Sequence, residues 1–304
     1  MNVFITGATG VLGKTVTRLL VDSGHNVRAF ARSPANESRL RDLGAEPVHT
    51  SLFEPAMLRA TVKNTDAILH LATHIPPANK SGRLDAWAEN DRLRRDGTRN
   101  LVDAAIEERV STFLYPGIAF FYPDRAANWV DETTFPAPTP ILESSIYAEK
   151  EVERFTKNGG RGLILRMGGF YGPGAESTRN VLHAAGYGFA MFFGKSKAYT
   201  PLIWVDDAAL AVLDGLAQAP AGTYNIVDDE PLQRWELAKA LAETVGRSHL
   251  FRPPRLFLRI MGGKHAMFLA RSQRVSNRKF KSATNWSPMI PSAKLGFRLL
   301  SIPP

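Results

Sequence analysis

No cysteine occurs among the 304 residues, which excludes disulfides, thiolate nucleophiles and cysteine-based metal sites. No run reaches the roughly 18 consecutive apolar residues of a spanning helix. No basic, cleavable leader precedes the apolar run at Asn2–Ile5, so the expectation is a cytoplasmic protein. Acid is missing from the C-terminal fifth: from Ser248 onward there are 11 of the 38 Lys/Arg and none of the 29 Asp/Glu. The net charge of +9 therefore sits in one block. Such a block suits a nucleotide, a phosphorylated substrate, an acidic subunit or a membrane surface, or else forms a solvated basic face. No nucleic-acid recognition motif accompanies it. The seven histidines show no ligand-type spacing with carboxylates, so no metal is expected.

What is present begins at the N-terminus. Asn2-Val3-Phe4-Ile5 is a short strand-like run. Thr6-Gly7-Ala8-Thr9-Gly10-Val11-Leu12-Gly13 follows directly, and Val16, Leu19, Leu20 and Val21 then recur at helical spacing. A strand, a glycine turn and a helix start form a phosphate cradle for a dinucleotide. Gly7 permits the tight turn, Gly10 lets a pyrophosphate approach the backbone, and Gly13 allows close helix–sheet packing. The helix N-terminus offers free N–H groups to the phosphates.

Strand-like and helix-like segments alternate onward. Val27–Ala31, Pro47–Ser51, Ala67–Leu71, Phe113–Tyr115 and Gly162–Arg166 read as strands, and Leu84–Ile106 as one polar helix. This alternation predicts an α/β fold, a Rossmann-type doubly wound parallel sheet with a smaller C-terminal substrate-binding part. The boundary is expected near Gly172, with residues 1–172 mainly cofactor domain and 173–304 mainly substrate part. The helix from Val205 and the strand Tyr224–Val227 return to the first domain. A further helix is expected over Pro231–Gly246. The stretch Pro254–Leu269 mixes apolar residues with Arg255, Arg259, Lys264 and His265, as a pocket closure, a dimer contact or a membrane-surface segment would.

Several landmarks in order resemble the extended short-chain dehydrogenase/reductase superfamily of the NAD-dependent epimerase/dehydratase type. These are the glycine motif, His70-Leu71-Ala72, Gly97-Thr98-Arg99-Asn100-Leu101, Leu165-Arg166 before Tyr171-Gly172-Pro173, Val205-Asp206-Asp207-Ala208, Tyr224-Asn225-Ile226 and Asn285-Trp286-Ser287-Pro288. The resemblance covers nearly the whole chain. It implies cofactor contacts from Gly7, Thr9, Gly10, Val11, Leu12, Gly13, Arg32, Ser51, Leu52, Leu71, Ala72 and Thr73. It implies a substrate mouth near Ile118, Tyr122 and Tyr171. The family pairs a Ser/Thr with Tyr-x-x-x-Lys and often an Asn on the preceding helix; the lysine lowers the tyrosine pKa and binds the ribose.

This chain departs from that pattern in three places. Gly117 and Ile118 stand where hydroxyl residues are usual. Arg94 stands at the Asn position. Tyr147 and Lys150 are three apart rather than four. At about 100° per residue, spacings of three and four both leave two side chains on one helix face. Tyr147 and Lys150 are therefore the catalytic candidates and also ribose contacts. Ser144 and Ser145 read as helix N-caps. Arg94 is expected to bind a substrate carboxylate or phosphate, unless Arg92, Arg94 and Arg95 form one solvated stripe.

At the end of the second strand the usual acid is replaced by Ala31, followed by Arg32 and Ser33. An arginine there pairs with a 2′-phosphate, which favours NADP, with NAD the alternative. The expected function is NADP(H)-dependent hydride transfer to or from a small carbonyl or alcohol, including anionic and nucleotide-sugar-like substrates. The competing reading is a redox-inactive sensor or assembly protein on the same fold. The expected partner is a small molecule, with a homodimer as a further option.

Overall fold

The computed structural model describes residues 1–77, 80 and 82–300. Of the basic stretch Pro254–Leu269, the side chains of Arg255, Ile260, Met261 and Lys264 lie outside the described set, as do residues 301–304 of the acid-free segment.

The elements in chain order are β1 (Asn2–Thr6), α1 (Val11–Asp22), β2 (Asn26–Phe30), α2 (Pro34–Asp42), β3 (Glu46–Val48), α3 (Pro55–Val62), β4 (Ala67–His70), α4 (Ala88–Arg92), α5 (Thr98–Glu107) and β5 (Thr112–Ile118). There follow β6 (Trp129–Val130), α6 (Glu143–Lys157), β7 (Arg161–Met167), β8 (Gly169–Tyr171), α7 (Glu176–Gly186), β9 (Leu202–Trp204), α8 (Val205–Gln218) and β10 (Gly222–Ile226). The chain closes with α9 (Arg234–Thr244), α10 (Arg255–Gly262), β11 (Arg274–Val275), α11 (Arg278–Ala283) and α12 (Ala293–Leu299).

Seven strands pair in the order β10-β7-β5-β4-β1-β2-β3, and every pairing is parallel. The strand order reverses beside β1, as in a doubly wound sheet. Parallel strands covered on both faces must be apolar on both. In β1, Val3 and Ile5 accordingly join the layer under α1 and α8, while Phe4 joins the layer under α3, α5 and α6. Full burial of each such side chain contributes roughly 1.5–3 kcal/mol.

A separate core cluster is built from Tyr171, Trp204, Leu237, Leu241 and Phe297. Two late motifs tie the parts together. Buried Asp207 accepts from the Met289 and Ile290 amides, each at 2.9 Å. The Trp286 indole donates to the Asp207 carbonyl at 3.0 Å. α8 packs on α1, and β10 pairs with β7 in the main sheet.

Three local expectations need correction. The stretch expected as one helix from 84 to 106 is a single 3-10 turn, α4, a π turn at Leu93–Gly97, and then α5. The third strand ends at Val48 rather than Ser51, because it is the sheet edge and has only β2 to pair with. Ser144 and Ser145 do not cap α6: the cap position is Leu142, and both serines are buried inside the helix.

Among the described residues, no helix is long and apolar enough to cross a membrane. In the basic stretch, Leu258 and Phe268 are buried, and Phe268 meets Phe120 edge-on at 6.1 Å. This packing turns part of the segment's apolar face inward.

Candidate active site

Backbone forms the first half of the site. Gly7 has φ +75°, and a Cβ there would lie 2.6 Å from the Leu71 carbonyl carbon and the Ala72 nitrogen. A Cβ on Gly13 would lie 2.1 Å from the Gly7 carbonyl oxygen. Only glycine fits at either position, because each allows one backbone segment to press on another. Gly10 occupies the N-cap of α1 without a side-chain cap, and the first turn holds no acid. The N–H groups and positive dipole end of α1 are therefore left for an anion. The donor set fits a pyrophosphate.

Around this cradle, Val11 is exposed and Leu12 is buried on the helix. Ala72 and Thr73 open progressively to solvent beyond buried Leu71. Arg32 and Lys14 are exposed and make no ion pair among the described residues. The Ser33 hydroxyl caps α2 by accepting from the Asn36 amide at 3.4 Å. The Ser51 hydroxyl accepts from the Phe53 amide at 3.2 Å. Leu52 is buried, and its carbonyl accepts from Asn100 at 2.9 Å. Asn100 of the Gly97–Leu101 motif thus fixes the loop that would border an adenine.

Side chains build the second half, on α6 and the helix before it. The residue four before Lys150 is Ile146, which, like Ile118 and Phe120, packs against the apolar cluster that holds Phe121, Ile141 and Leu142. Tyr147 is turned toward the π turn, with the Arg95 guanidinium 5.3 Å from its ring centre. Lys150 is exposed. Regular helix from Glu143 onward leaves about 60° between Tyr147 and Lys150. No local irregularity brings them closer.

The missing hydroxyl at Gly117 has a structural counterpart. A Cβ at Gly117 would lie 2.6 Å from Glu149 Oε1. Glycine there makes room for a buried carboxylate that Arg166 holds through Nη2 at 2.8 Å and Nε at 3.2 and 3.3 Å. Burial pushes the Glu149 carboxyl up, and Arg166 opposes it. Burial also works against the Arg166 charge, yet Glu149 more than offsets this and raises the guanidinium pKa. The network continues: Arg166 Nη1 donates to the Tyr122 hydroxyl at 2.8 Å, which donates to Asn225 Oδ1 at 2.8 Å.

Two expected substrate contacts are thereby corrected. Tyr122 is fully buried, and burial pushes its phenol up to about 12. Tyr171 is buried as well and donates to Asp228 Oδ2 at 2.9 Å. Both hydroxyls are engaged in internal hydrogen bonds. Ile118 is half-buried at the end of β5.

Arg94 does not belong to a solvated stripe. Arg92 stacks on Phe53 at 3.6 Å and Arg95 covers Tyr147, whereas Arg94 is only 2% exposed. Its neighbours are His70 and Tyr115, which lie on the adjacent strands β4 and β5 with ring centres 6.1 Å apart, and the Glu149 carboxylate. His70 Nδ1 meets the Thr6 hydroxyl at 2.7 Å. Burial, with the Arg94 charge adding to it, lowers the His70 pKa to about 4.

A seven-stranded doubly wound sheet with a glycine cradle at its first strand-to-helix turn is a dinucleotide-binding architecture. The profile of the "NAD dependent epimerase/dehydratase family" matches residues 3–226, and the chain belongs to that family. It is 28% identical to a 3-diazoavenalumate denitrifying reductase of a Streptomyces species, over 97% of this chain and 99% of that protein. It is 26% identical to a 2-alkyl-3-oxoalkanoate reductase of Stenotrophomonas maltophilia, over 81% and 76% of the two chains. The structure of human epimerase family protein SDR39U1 with NADPH superposes with a TM-score of 0.83 at 19% identity, over 99% of both chains. That likeness concerns the fold. The chain is thus an oxidoreductase or epimerase with a nicotinamide cofactor.

Proposed function

We propose that the protein is an NADP(H)-dependent reductase of a small organic substrate. The observation that carries the reading is the cofactor rim. The cradle is open at the α1 N-terminus, the acid expected after β2 is Ala31, and exposed Arg32 follows it without an ion pair. A guanidinium at that place suits a 2′-phosphate, whereas a carboxylate would repel it. Both relatives described above carry the name of a reductase, and the human neighbour was solved with NADPH, which supports the same direction.

When bound, the cofactor supplies a hydride. The residues of this chain bind and orient. Gly7, Gly10 and Gly13 shape the phosphate cradle, with Thr9, Val11 and Leu12 beside it. Arg32 receives the 2′-phosphate, and the Ser51–Leu52 loop borders the adenine. Leu71, Ala72 and Thr73 flank the dinucleotide, and Lys150 supplies positive charge at the ribose. Lys150, exposed on α6, is assigned the stabilisation of developing negative charge on the substrate in preference to Tyr147, whose ring Arg95 covers.

The test is NADPH consumption with a panel of small carbonyl compounds and organic acids, using NADPH deuterated at the transferring position. Deuterium in the product is the expected result. Tight NADPH binding with no turnover on any member would instead favour the redox-inactive reading. That reading draws on one observation: Gly117 and Ile146 replace the two hydroxyl groups that a carbonyl-reducing site of this family would use.

A further inference from the structure

The buried charge beneath the catalytic half does not balance. Two guanidinium groups, Arg94 and Arg166, are buried against a single carboxylate, Glu149. Both Glu149 oxygens are taken by Arg166. Arg94 Nε and Nη1 are buried without any acceptor, and Arg94 forms no ion pair among the described residues. Asp91, one turn earlier, does not pair with it, and one of its carboxylate oxygens is itself buried without a partner. Two buried cations that share one carboxylate, only one of them hydrogen-bonded to it, are a costly arrangement.

Arg94 is not alone. The Ser144 and Thr98 hydroxyls and Asn90 Nδ2 are likewise buried without a hydrogen-bond partner among the described residues, and the buried Tyr115 and Ser145 hydroxyls meet only each other. Tyr115 faces both Arg94 and Ser145. Asn90, Arg94 and Thr98 recur every four residues along one helical stretch. Asn90 is held in orientation, because its Oδ1 accepts from the His74 amide at 3.0 Å. Each of these groups can donate, and the Tyr115 and Ser145 hydroxyls meet each other, so donors outnumber acceptors among the described residues of the cluster. The π turn at Leu93–Gly97 carries Arg94 into this cluster; such turns insert one residue locally and are frequent at functional sites.

We propose that the cluster of Arg94, Tyr115 and Ser145 is an anion site that receives the carboxylate of the substrate. Arg94 supplies the charge, and the hydroxyls complete the hydrogen bonds. The inference rests on the reductase reading and adds the substrate class. A planar carboxylate offers acceptors only, which is what the cluster lacks. The names of both reductases described above are those of enzymes acting on organic acid anions, which agrees with this choice. The donors are closed to solvent in the free protein, so entry of the acid requires the π turn to shift.

The test is calorimetric titration of NADPH-saturated protein with cinnamate and, as a neutral control, cinnamamide. NADPH affinity is measured first for wild type, Arg94→Gln, Arg94→Lys and Ser145→Ala. The expected result is cinnamate binding to wild type that falls roughly tenfold or more in Arg94→Gln, with smaller losses in Arg94→Lys and Ser145→Ala. NADPH affinity stays unchanged and cinnamamide binding is insensitive to all three substitutions. Equal cinnamate binding by wild type and Arg94→Gln, or no cinnamate binding by wild type, overturns the anion site. Failure of NADPH to bind wild type overturns the reductase reading itself and is seen in the first titration.

Discussion

The cofactor cradle and the catalytic floor lie at the same carboxyl edge of the sheet, yet they are made of different material. The cradle is backbone: Gly7, Gly10 and Gly13 press on Leu71, Ala72 and one another, and the amides at the α1 N-terminus carry no side-chain cap. The floor is side chain: Glu149, Arg166, Tyr122 and Asn225 form a closed network, while Arg94 has no ion pair among the described residues and the Tyr115 and Ser145 hydroxyls meet only each other. Backbone geometry tolerates almost no change at the glycines. A side-chain floor can exchange one set of groups for another, and this chain has done so while leaving the fold intact.

The largest expected effect tests the rigid half. Gly13→Ala places a methyl group 2.1 Å from the Gly7 carbonyl. Loss of NADPH affinity by about a hundredfold, or roughly 3 kcal/mol, is expected together with a lower melting temperature. Calorimetry and thermal melting read both. Wild-type affinity in Gly13→Ala would remove backbone approach as the basis of the cradle.

The floor is best tested through pH. His70 is lowered to about 4 in the fold from an unfolded value near 6.5. The unfolded chain therefore binds the extra proton between those limits, and stability rises with pH across the window. His70 contributes fully above pH 6.5 and is lost as pH falls toward 4, by about 3 kcal/mol. Chemical denaturation of His70→Gln should show a flatter pH profile there. An unchanged slope would mean that another group carries it. Asp228 works in the opposite sense, because burial raises its carboxyl well above the usual range, so its contribution falls as pH rises through the unfolded carboxylate value.

A smaller effect separates the two helical candidates. Lys150→Met should reduce turnover by on the order of a hundredfold, and Tyr147→Phe by less than about threefold. Steady-state rates with a substrate found in the panel decide this. A collapse in Tyr147→Phe with little change in Lys150→Met would reverse the assignment.

The same contrast explains what could be read from residues alone. The glycine spacing, the strand before it and the helix after it are local, and backbone sterics tie each glycine to its place. The parallel, doubly wound character of the sheet follows from the alternation of strands and helices. The floor was harder to read because its partners are remote in the chain. Tyr122 meets Asn225 across 103 positions and Arg166 across 44, so it looked like a free hydroxyl near a substrate mouth. The π turn adds a residue without disturbing the apolar pattern, so Arg94 could be taken for one of three exposed arginines. Gly117 carried one legible signal: a missing hydroxyl asks what occupies the vacated space, and the buried acid two residues after Tyr147 was the group to suspect.

The most direct test of the account is titration of wild type and Arg32→Ala with NADPH and with NADH. The account predicts that wild type binds NADPH at least about tenfold more tightly than NADH and that Arg32→Ala removes most of the difference, as one charge-assisted contact to a 2′-phosphate would require. Equal binding of the two cofactors by wild type, or binding of neither, would contradict it.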